Sequence, residues 1–158
     1  MKIRNNLIIF ALIVSLTLCC VCFGGCKQPV QKDDNQQVDN TLKELDMFLS
    51  INGETFTVKL EDNKTSQQLL NLLPLTAQMN ELNGNEKYYY LDQKLPTNSQ
   101  AVGYITAGDV MLYSNNCLVI FYESFSTSYS YTKIGHIENA ENLKTILGTG
   151  NVTVKWYK

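Results

Sequence analysis

The sequence is poor in arginine, and its acidic residues outnumber the basic ones. Arg4 is the only arginine among the 158 residues, and from Cys26 onward 11 lysines, no arginine and 15 acidic residues give a net charge of −4. A protein that binds nucleic acid needs a basic face to neutralise phosphates. The sequence therefore predicts no nucleic-acid partner.

Cysteine is also scarce beyond the N-terminal segment. Four of the five cysteines lie within residues 1–26, and Cys117 is the only one that follows, so the later part of the chain cannot form an internal disulfide. Cys117 begins the apolar run 117–121, which predicts a small buried hydrophobe and not a reactive thiol. The sequence has neither a phosphate-binding glycine loop nor a Cys/His metal cluster, so we expect no metal and no organic cofactor.

The first 26 residues have the plan of a secretory signal. A basic start is followed by an apolar run over residues 7–23 and then by Gly24, Gly25 and Cys26. The end of this run, Phe23-Gly24-Gly25-Cys26, resembles the lipobox of bacterial lipoproteins, in which the cysteine carries diacylglycerol and becomes the mature N-terminus. The resemblance implies lipid attachment at Cys26 and a position on the cell membrane or envelope, outside the cytoplasm. The alternative is an uncleaved membrane anchor, because the apolar run is long enough to reach the short limit of a membrane span.

The rest of the chain divides into a tether and one domain. Residues 27–46 are rich in Gln, Asn, Asp and Lys, which is typical of a flexible tether. Residues 47–158 have the length and the apolar content of a single globular domain. We expect this domain to be a monomer.

Short alternating runs indicate a mainly β domain. Residues 48–51 and 54–60 flank Asn52-Gly53, a pair that favours a tight hairpin turn. Thr65 to Gln68 matches a capping box, which predicts a short helix that ends at Pro74, and residues 140–147 predict a second short helix that ends at Gly148. Further strands are predicted at residues 75–80, 86–91, 102–105, 110–113, 117–122 and 151–157. Their regular spacing favours a barrel or a sandwich.

Several motifs, taken in order, resemble the bacterial cyclophilin-like fold family, whose members are small β-barrels with two short helices. The resemblance covers residues 47–158 and implies this fold. The motifs that carry it are residues 83–91, 95–97, 107–113, 125–132 and 134–137.

The resemblance to true prolyl isomerases is one of fold and does not carry their activity. True cyclophilins place an arginine guanidinium beside the prolyl amide, but the chain after Cys26 has no arginine, and lysine lacks the planar fork. We therefore predict no catalytic residue and favour a ligand- or protein-binding module of the cell envelope. The alternatives are a weak peptidyl-prolyl isomerase or chaperone, and an auxiliary subunit of a redox or other enzyme system.

Residues 125–132 alternate hydroxyl with aromatic side chains and form a twisted edge strand or an ordered loop. Aromatic rings in a serine-rich setting can stack on a protein, peptide or small-molecule ligand, although the same segment could simply cover the mouth of a barrel. Tyr89 is a further candidate, since it points away from its two neighbours in a strand. His136 has no identifiable partner, and Asp109 is interpreted as a turn former. The candidate binding residues are Phe125, Thr127, Tyr129, Tyr131 and Tyr89.

Overall fold

The computed structural model describes residues 46–158. The predicted signal peptide, the acceptor Cys26 and nearly all of the predicted tether lie outside these residues. The first strand begins at Asp46, one residue before the predicted start of the domain. Within the described part of the chain, no helix is long and apolar enough to cross a membrane.

Residues 46–158 form a mainly β structure with two short helices, as the sequence predicts. The helices are α1 (Lys64–Leu70) and α2 (Leu143–Leu147). The strands are β1 (Asp46–Ile51), β2 (Glu54–Leu60), β3 (Leu75–Leu82), β4 (Glu86–Tyr90), β5 (Gln100–Ala101), β6 (Tyr104–Ile105), β7 (Asp109–Tyr113), β8 (Cys117–Phe121), β9 (Phe125–Ser126), β10 (Ser130–Ile137) and β11 (Val152–Tyr157).

Eight of these strands close into a barrel. Their order around the wall is β2-β1-β11-β3-β4-β8-β7-β10, and β10 pairs again with β2. At this last seam Gly135 lies opposite Leu60, and a Cβ atom on Gly135 would come within 2.5 Å of the Lys59 carbonyl oxygen. Only glycine therefore allows β10 to approach β2 closely enough to complete the barrel.

The predicted hairpin at the start of the domain is confirmed. Asn52 and Gly53 have φ values of 50° and 90°, so both adopt the left-handed conformation that a two-residue hairpin turn requires. β1 and β2 pair on either side of them, with Ile51 opposite Glu54. The turn residues thus set the register of the first two strands.

The first helix is confirmed, but its predicted N-cap is wrong. The N-cap is Asn63, whose Oδ1 accepts a hydrogen bond from the Ser66 backbone N–H at 3.0 Å. Thr65 instead lies inside the helix, where it is buried and its hydroxyl donates to the Pro96 carbonyl oxygen at 2.7 Å. Asparagine and threonine are both good N-caps, but the hydroxyl of Thr65 is already bonded to Pro96 and does not cap the helix.

Two other predicted elements are divided. The predicted helix over residues 140–147 begins with a 3-10 turn at Ala140–Asn142, and only α2 is α-helical. The predicted strand at residues 102–105 is replaced by β5 and β6, two-residue strands on either side of Gly103. β6 pairs with β9 outside the barrel wall, and β5 pairs with the start of β10.

Alternation along β8 separates two apolar clusters. Leu118 and Ile120 point into the barrel and join its buried core, whereas Cys117, Val119 and Phe121 belong to a second cluster. This second cluster lies on the outer face of the wall and is packed against the segment that holds β9. It provides the floor of the site described next.

Candidate functional site: a tyrosine cleft on the barrel wall

A cleft of about 500 Å³ lies on the outer face of the barrel, beside β4, β8 and the segment that leads into β10. Because β4 alternates, Glu86, Tyr88 and Tyr90 face this cleft together. We call it the tyrosine cleft. Its lining residues are Leu82, Asn83, Asn85, Glu86, Tyr88, Tyr90, Tyr113, Cys117, Val119, Phe125, Ser126, Thr127, Ser128, Tyr129 and Tyr131.

Aromatic rings form two groups in the tyrosine cleft. Tyr88 and Tyr90 on β4 meet edge to face, with their ring centroids 5.7 Å apart. In the other group, the Tyr113 ring lies 5.6 Å from that of Tyr131 and 6.1 Å from that of Tyr129. Edge-to-face contacts of this kind are favourable and fix the orientation of the rings.

The four candidate residues between positions 125 and 131 all line the tyrosine cleft. The Thr127 backbone N–H donates to the Gly103 carbonyl oxygen at 3.0 Å, and its hydroxyl accepts from the Tyr129 N–H at 3.1 Å. Phe125 packs on Phe121 with their ring centroids 5.8 Å apart. Residues 125–131 therefore form one wall of the cleft.

Tyr89, the fifth candidate, lies on the opposite face of β4. It is partly buried and packs against the barrel core, whereas its neighbours Tyr88 and Tyr90 line the cleft. The sequence correctly predicted that Tyr89 points away from them. Alternation alone could not say which face of the strand would be inside the barrel.

Glu86 is a cleft residue that the sequence did not suggest. Burial, with a smaller contribution from the negative charge of Glu81, raises the pKa of its carboxyl group to about 7. Among the described residues that line the cleft there is no basic side chain, and no hydrogen-bond donor reaches the Glu86 carboxyl group. The sequence contained one signal for this position: Glu86 lies two residues before Tyr88 in a strand, so both side chains lie on the same face.

Asn85, next to Glu86, also has an acceptor without a partner within the described residues. Its side chain lines the cleft, but its Oδ1 atom is buried away from solvent without a hydrogen-bond donor. A buried polar atom of this kind costs free energy. The accessible lining of the cleft therefore combines the Glu86 carboxyl group with aromatic faces.

Cys117 and Tyr131 stay neutral near pH 7. Burial, followed by the charge of Glu86, raises the pKa of the Cys117 thiol to about 11 and that of the Tyr131 hydroxyl to about 12. Cys117 is buried and is not in a disulfide, which agrees with its prediction as a small buried hydrophobe. Its thiol is therefore unreactive near neutral pH, whereas the Glu86 carboxyl group titrates there.

Residues 49–157 match the sequence model of the cyclophilin-like family. The chain belongs to the cyclophilin-like family. Its structure is also similar to the solution structure of a hypothetical protein from Archaeoglobus fulgidus, with 17% identity, a TM-score of 0.46 and coverage of 72% of this chain and 94% of that one. No curated protein matches the chain significantly.

Inside the cyclophilin-like barrel, Lys87 has a complete set of partners. Its ammonium group is fully buried and donates to a Glu81 carboxylate oxygen and to the carbonyl oxygens of Gly148 and Gly150, at 2.8 and 2.7 Å. The Tyr122 hydroxyl donates to Glu81 at 2.7 Å, and Lys87 lies 5.3 Å from the Tyr122 ring centroid. Burial alone would raise the pKa of Glu81, but the bonds from Lys87 and Tyr122 outweigh it and lower that pKa.

His136 has a partner that the sequence did not reveal. Its Nδ1 lies 3.0 Å from Asp109 Oδ1, and the other oxygen of Asp109 accepts from the Thr106 N–H at 2.9 Å. The bond to Thr106 supports the interpretation of Asp109 as a turn former. Neither His136 nor Asp109 lines the tyrosine cleft of the cyclophilin-like domain. Across residues 46–158, no three His, Cys, Asp or Glu side chains are placed to hold a metal ion together.

Proposed function

We propose that this protein is a lipid-anchored binding protein of the cell envelope, whose cyclophilin-like domain takes a small ligand in the tyrosine cleft. The observation that carries the proposal is the cleft itself, with a volume of about 500 Å³ and ordered aromatic walls. Sites for small ligands have this size, aromatic lining and a few polar groups.

Binding is favoured over prolyl isomerisation because the lining lacks a cation. The chain has no arginine after Arg4, and among the described residues of the cleft there is no lysine or histidine either. A guanidinium beside the prolyl amide is the feature that the resemblance to cyclophilins would require for catalysis. We expect a proline-containing peptide to isomerise at its uncatalysed rate in the presence of the protein. Acceleration that disappears in Tyr129→Ser would overturn the non-enzymatic assignment.

Binding in the cleft can be tested by nuclear magnetic resonance on the full chain in lipid nanodiscs, with isotope-labelled tyrosine rings. A panel of neutral, anionic and cationic small molecules is added, and ring signals are assigned with Tyr→Phe variants. We expect some members to shift the signals of Tyr88, Tyr129 and Tyr131. A panel in which no member shifts these signals would contradict the proposal.

Two exposed tyrosines provide a matched pair of variants for that experiment. Tyr129 lines the cleft and is 61% exposed, whereas Tyr104 lies on β6 outside the cleft and is 58% exposed. Tyr129→Ser is expected to weaken the binding of active panel members at least about tenfold, which corresponds to about 1.4 kcal/mol. Tyr104→Ser is expected to leave it unchanged, since the two variants differ mainly in their position relative to the cleft.

The lipid anchor is tested separately, since Cys26 lies outside the described residues. The sequence Phe23-Gly24-Gly25-Cys26 supports acylation at Cys26. Cells grown with a labelled fatty acid should incorporate the label into the natural chain and into Cys22→Ser, but not into Cys26→Ser. Labelled Cys26→Ser protein would exclude Cys26 as the acceptor.

A further inference from the structure

We propose that the ligand of the tyrosine cleft is a small soluble organic ammonium compound, held between the tyrosine rings and the Glu86 carboxylate. This inference rests on the proposed binding function of the cleft and adds the chemical class of its ligand. It is carried by two features of the lining that point to the same class, namely its charge and its aromatic faces, and the size of the cleft limits the ligand to a small molecule.

The charge of the lining favours a cation. Glu86 is the charged residue among those described as lining the cleft, and no basic side chain lies beside it. The neighbouring Glu81 on β3 already has Lys87 as its partner, so Lys87 does not serve Glu86. A carboxylate removed from water without a counter-charge is costly, and a ligand that supplies the positive charge recovers that cost.

The aromatic faces favour a diffuse organic cation over a metal ion. Tyr88 and Tyr90 line the cleft from β4, and Tyr113, Tyr129 and Tyr131 form the second group of rings. An ammonium group is attracted to the negative face of such rings, and several rings around one site are the usual means of holding a quaternary ammonium ion. Metal ions are usually held by several converging carboxylate, imidazole or thiolate ligands, and within residues 46–158 no three His, Cys, Asp or Glu side chains converge in this way.

The size of the cleft limits the ligand. A volume of about 500 Å³ is suited to a small molecule, so the expected ligand is a small organic ammonium compound.

The affinity for such a ligand should follow the ionisation of Glu86. The ionisable groups that interact electrostatically with Glu86 are Glu81 from β3, Cys117 from β8, Tyr122 after β8 and Tyr131 from β10. Burial keeps the pKa values of the Cys117 thiol and both tyrosines far above neutrality, so they do not titrate between pH 5 and pH 8. Because only the Glu86 carboxylate attracts a cation, we expect affinity at pH 8 to be at least about tenfold higher than at pH 5.5.

The test compares two cations with neutral molecules of the same shape. Choline is paired with its carbon analogue, in which carbon replaces nitrogen, and butylammonium is paired with butanol. Affinities are measured by calorimetry on the full chain in nanodiscs of phosphatidylglycerol. We expect at least one cation to bind at least about tenfold more tightly than its neutral partner. In Glu86→Gln this preference should disappear while the neutral partner keeps its affinity, and in Glu138→Gln, which removes an exposed carboxylate outside the cleft, the preference should remain.

Each failure points to a different conclusion. If neutral or anionic panel members shift the cleft tyrosines but neither cation is preferred, or if Glu86→Gln keeps the preference, the ammonium assignment is overturned and the binding function stands. If nothing shifts the cleft tyrosines, the binding function itself fails. Nanodiscs of phosphatidylcholine test the source of the cation: an unchanged choline affinity supports a soluble ligand, and a reduced one would assign the cleft to the lipid headgroup instead.

Discussion

The charged side chains on the two faces of β4 differ in whether they have partners. Lys87 points into the barrel, where Glu81 and two backbone carbonyl oxygens take up its ammonium group. Glu86, the preceding residue, points into the tyrosine cleft, where no partner reaches its carboxyl group within the described residues. On the inner face the charge of Lys87 is balanced by its partners, whereas on the outer face no positive charge lies beside Glu86. We infer that stability depends on the inner face, and the proposed ligand binding would depend on the outer one.

The largest effect on stability is expected from removing the paired charge on the inner face of β4. Lys87→Met should lower the free energy of unfolding by about 3 to 5 kcal/mol, because Glu81 and the carbonyl groups of Gly148 and Gly150 lose their buried partner. Urea denaturation measures this loss. Lys155→Met, which changes an exposed lysine on β11, is the control and should alter stability by less than about 0.5 kcal/mol. A loss below about 1 kcal/mol in Lys87→Met would show that the buried network is dispensable.

An intermediate effect is expected from adjacent tyrosines on opposite faces of the strand. Tyr89→Ala removes a ring that packs against the barrel core and should destabilise the domain by about 2 to 3 kcal/mol. Tyr90→Ala removes a ring that is 60% exposed and should cost less than about 1 kcal/mol while weakening ligand binding. Thermal or urea unfolding of both variants measures the two losses of stability. Equal losses in the two variants would contradict the division of roles between the faces.

The smallest effect is expected from replacing Glu86, and it is an increase in stability. Because the pKa of Glu86 is raised to about 7 in the folded state, the folded protein binds this proton more tightly than the unfolded chain does, and the contribution of Glu86 to stability falls as pH rises from about 4.5 to 7. Glu86→Gln should therefore stabilise the domain by about 1 to 3 kcal/mol at pH 8 and by little at pH 5. Urea denaturation of both proteins at the two pH values measures the difference. A variant that is no more stable than the natural chain at pH 8 would argue against an unpaired carboxylate.

The features that the sequence predicted well are those that depend on neighbouring residues. Asn52-Gly53 identified the first hairpin because left-handed turns restrict the choice of residue. The cyclophilin-like barrel was predicted from the resemblance of several motifs in order, and the family match over residues 49–157 confirms it. Residues 125–132 were predicted to form a twisted edge strand or an ordered loop, and the structure contains both, with β9 and the start of β10 on either side of a short loop whose residues line the cleft.

The features that escaped prediction depend on residues far apart in the chain. Gly148 and Gly150 reach Lys87 only after β11 has paired with β3, so no local pattern marks Lys87 as buried. Glu86 was missed because the inner face of β4 is decided by closure of the barrel, not by the alternation of its side chains. The sequence did not show that residues 130–137 form one strand, and β10 carries a register irregularity between Lys133 and Gly135.

The position of β1 in the wall has a consequence for the order in which the chain can fold. β1, the first of the described strands, lies between β2 and β11, and Leu49 is paired with Trp156 on β11. The barrel therefore cannot be completed until residues 152–157 have left the ribosome. A chain that stops before Val152 would leave the edges of β1 and β3 without partners, open to pairing with other chains. Truncated products of this gene should thus aggregate and not persist as smaller folded domains.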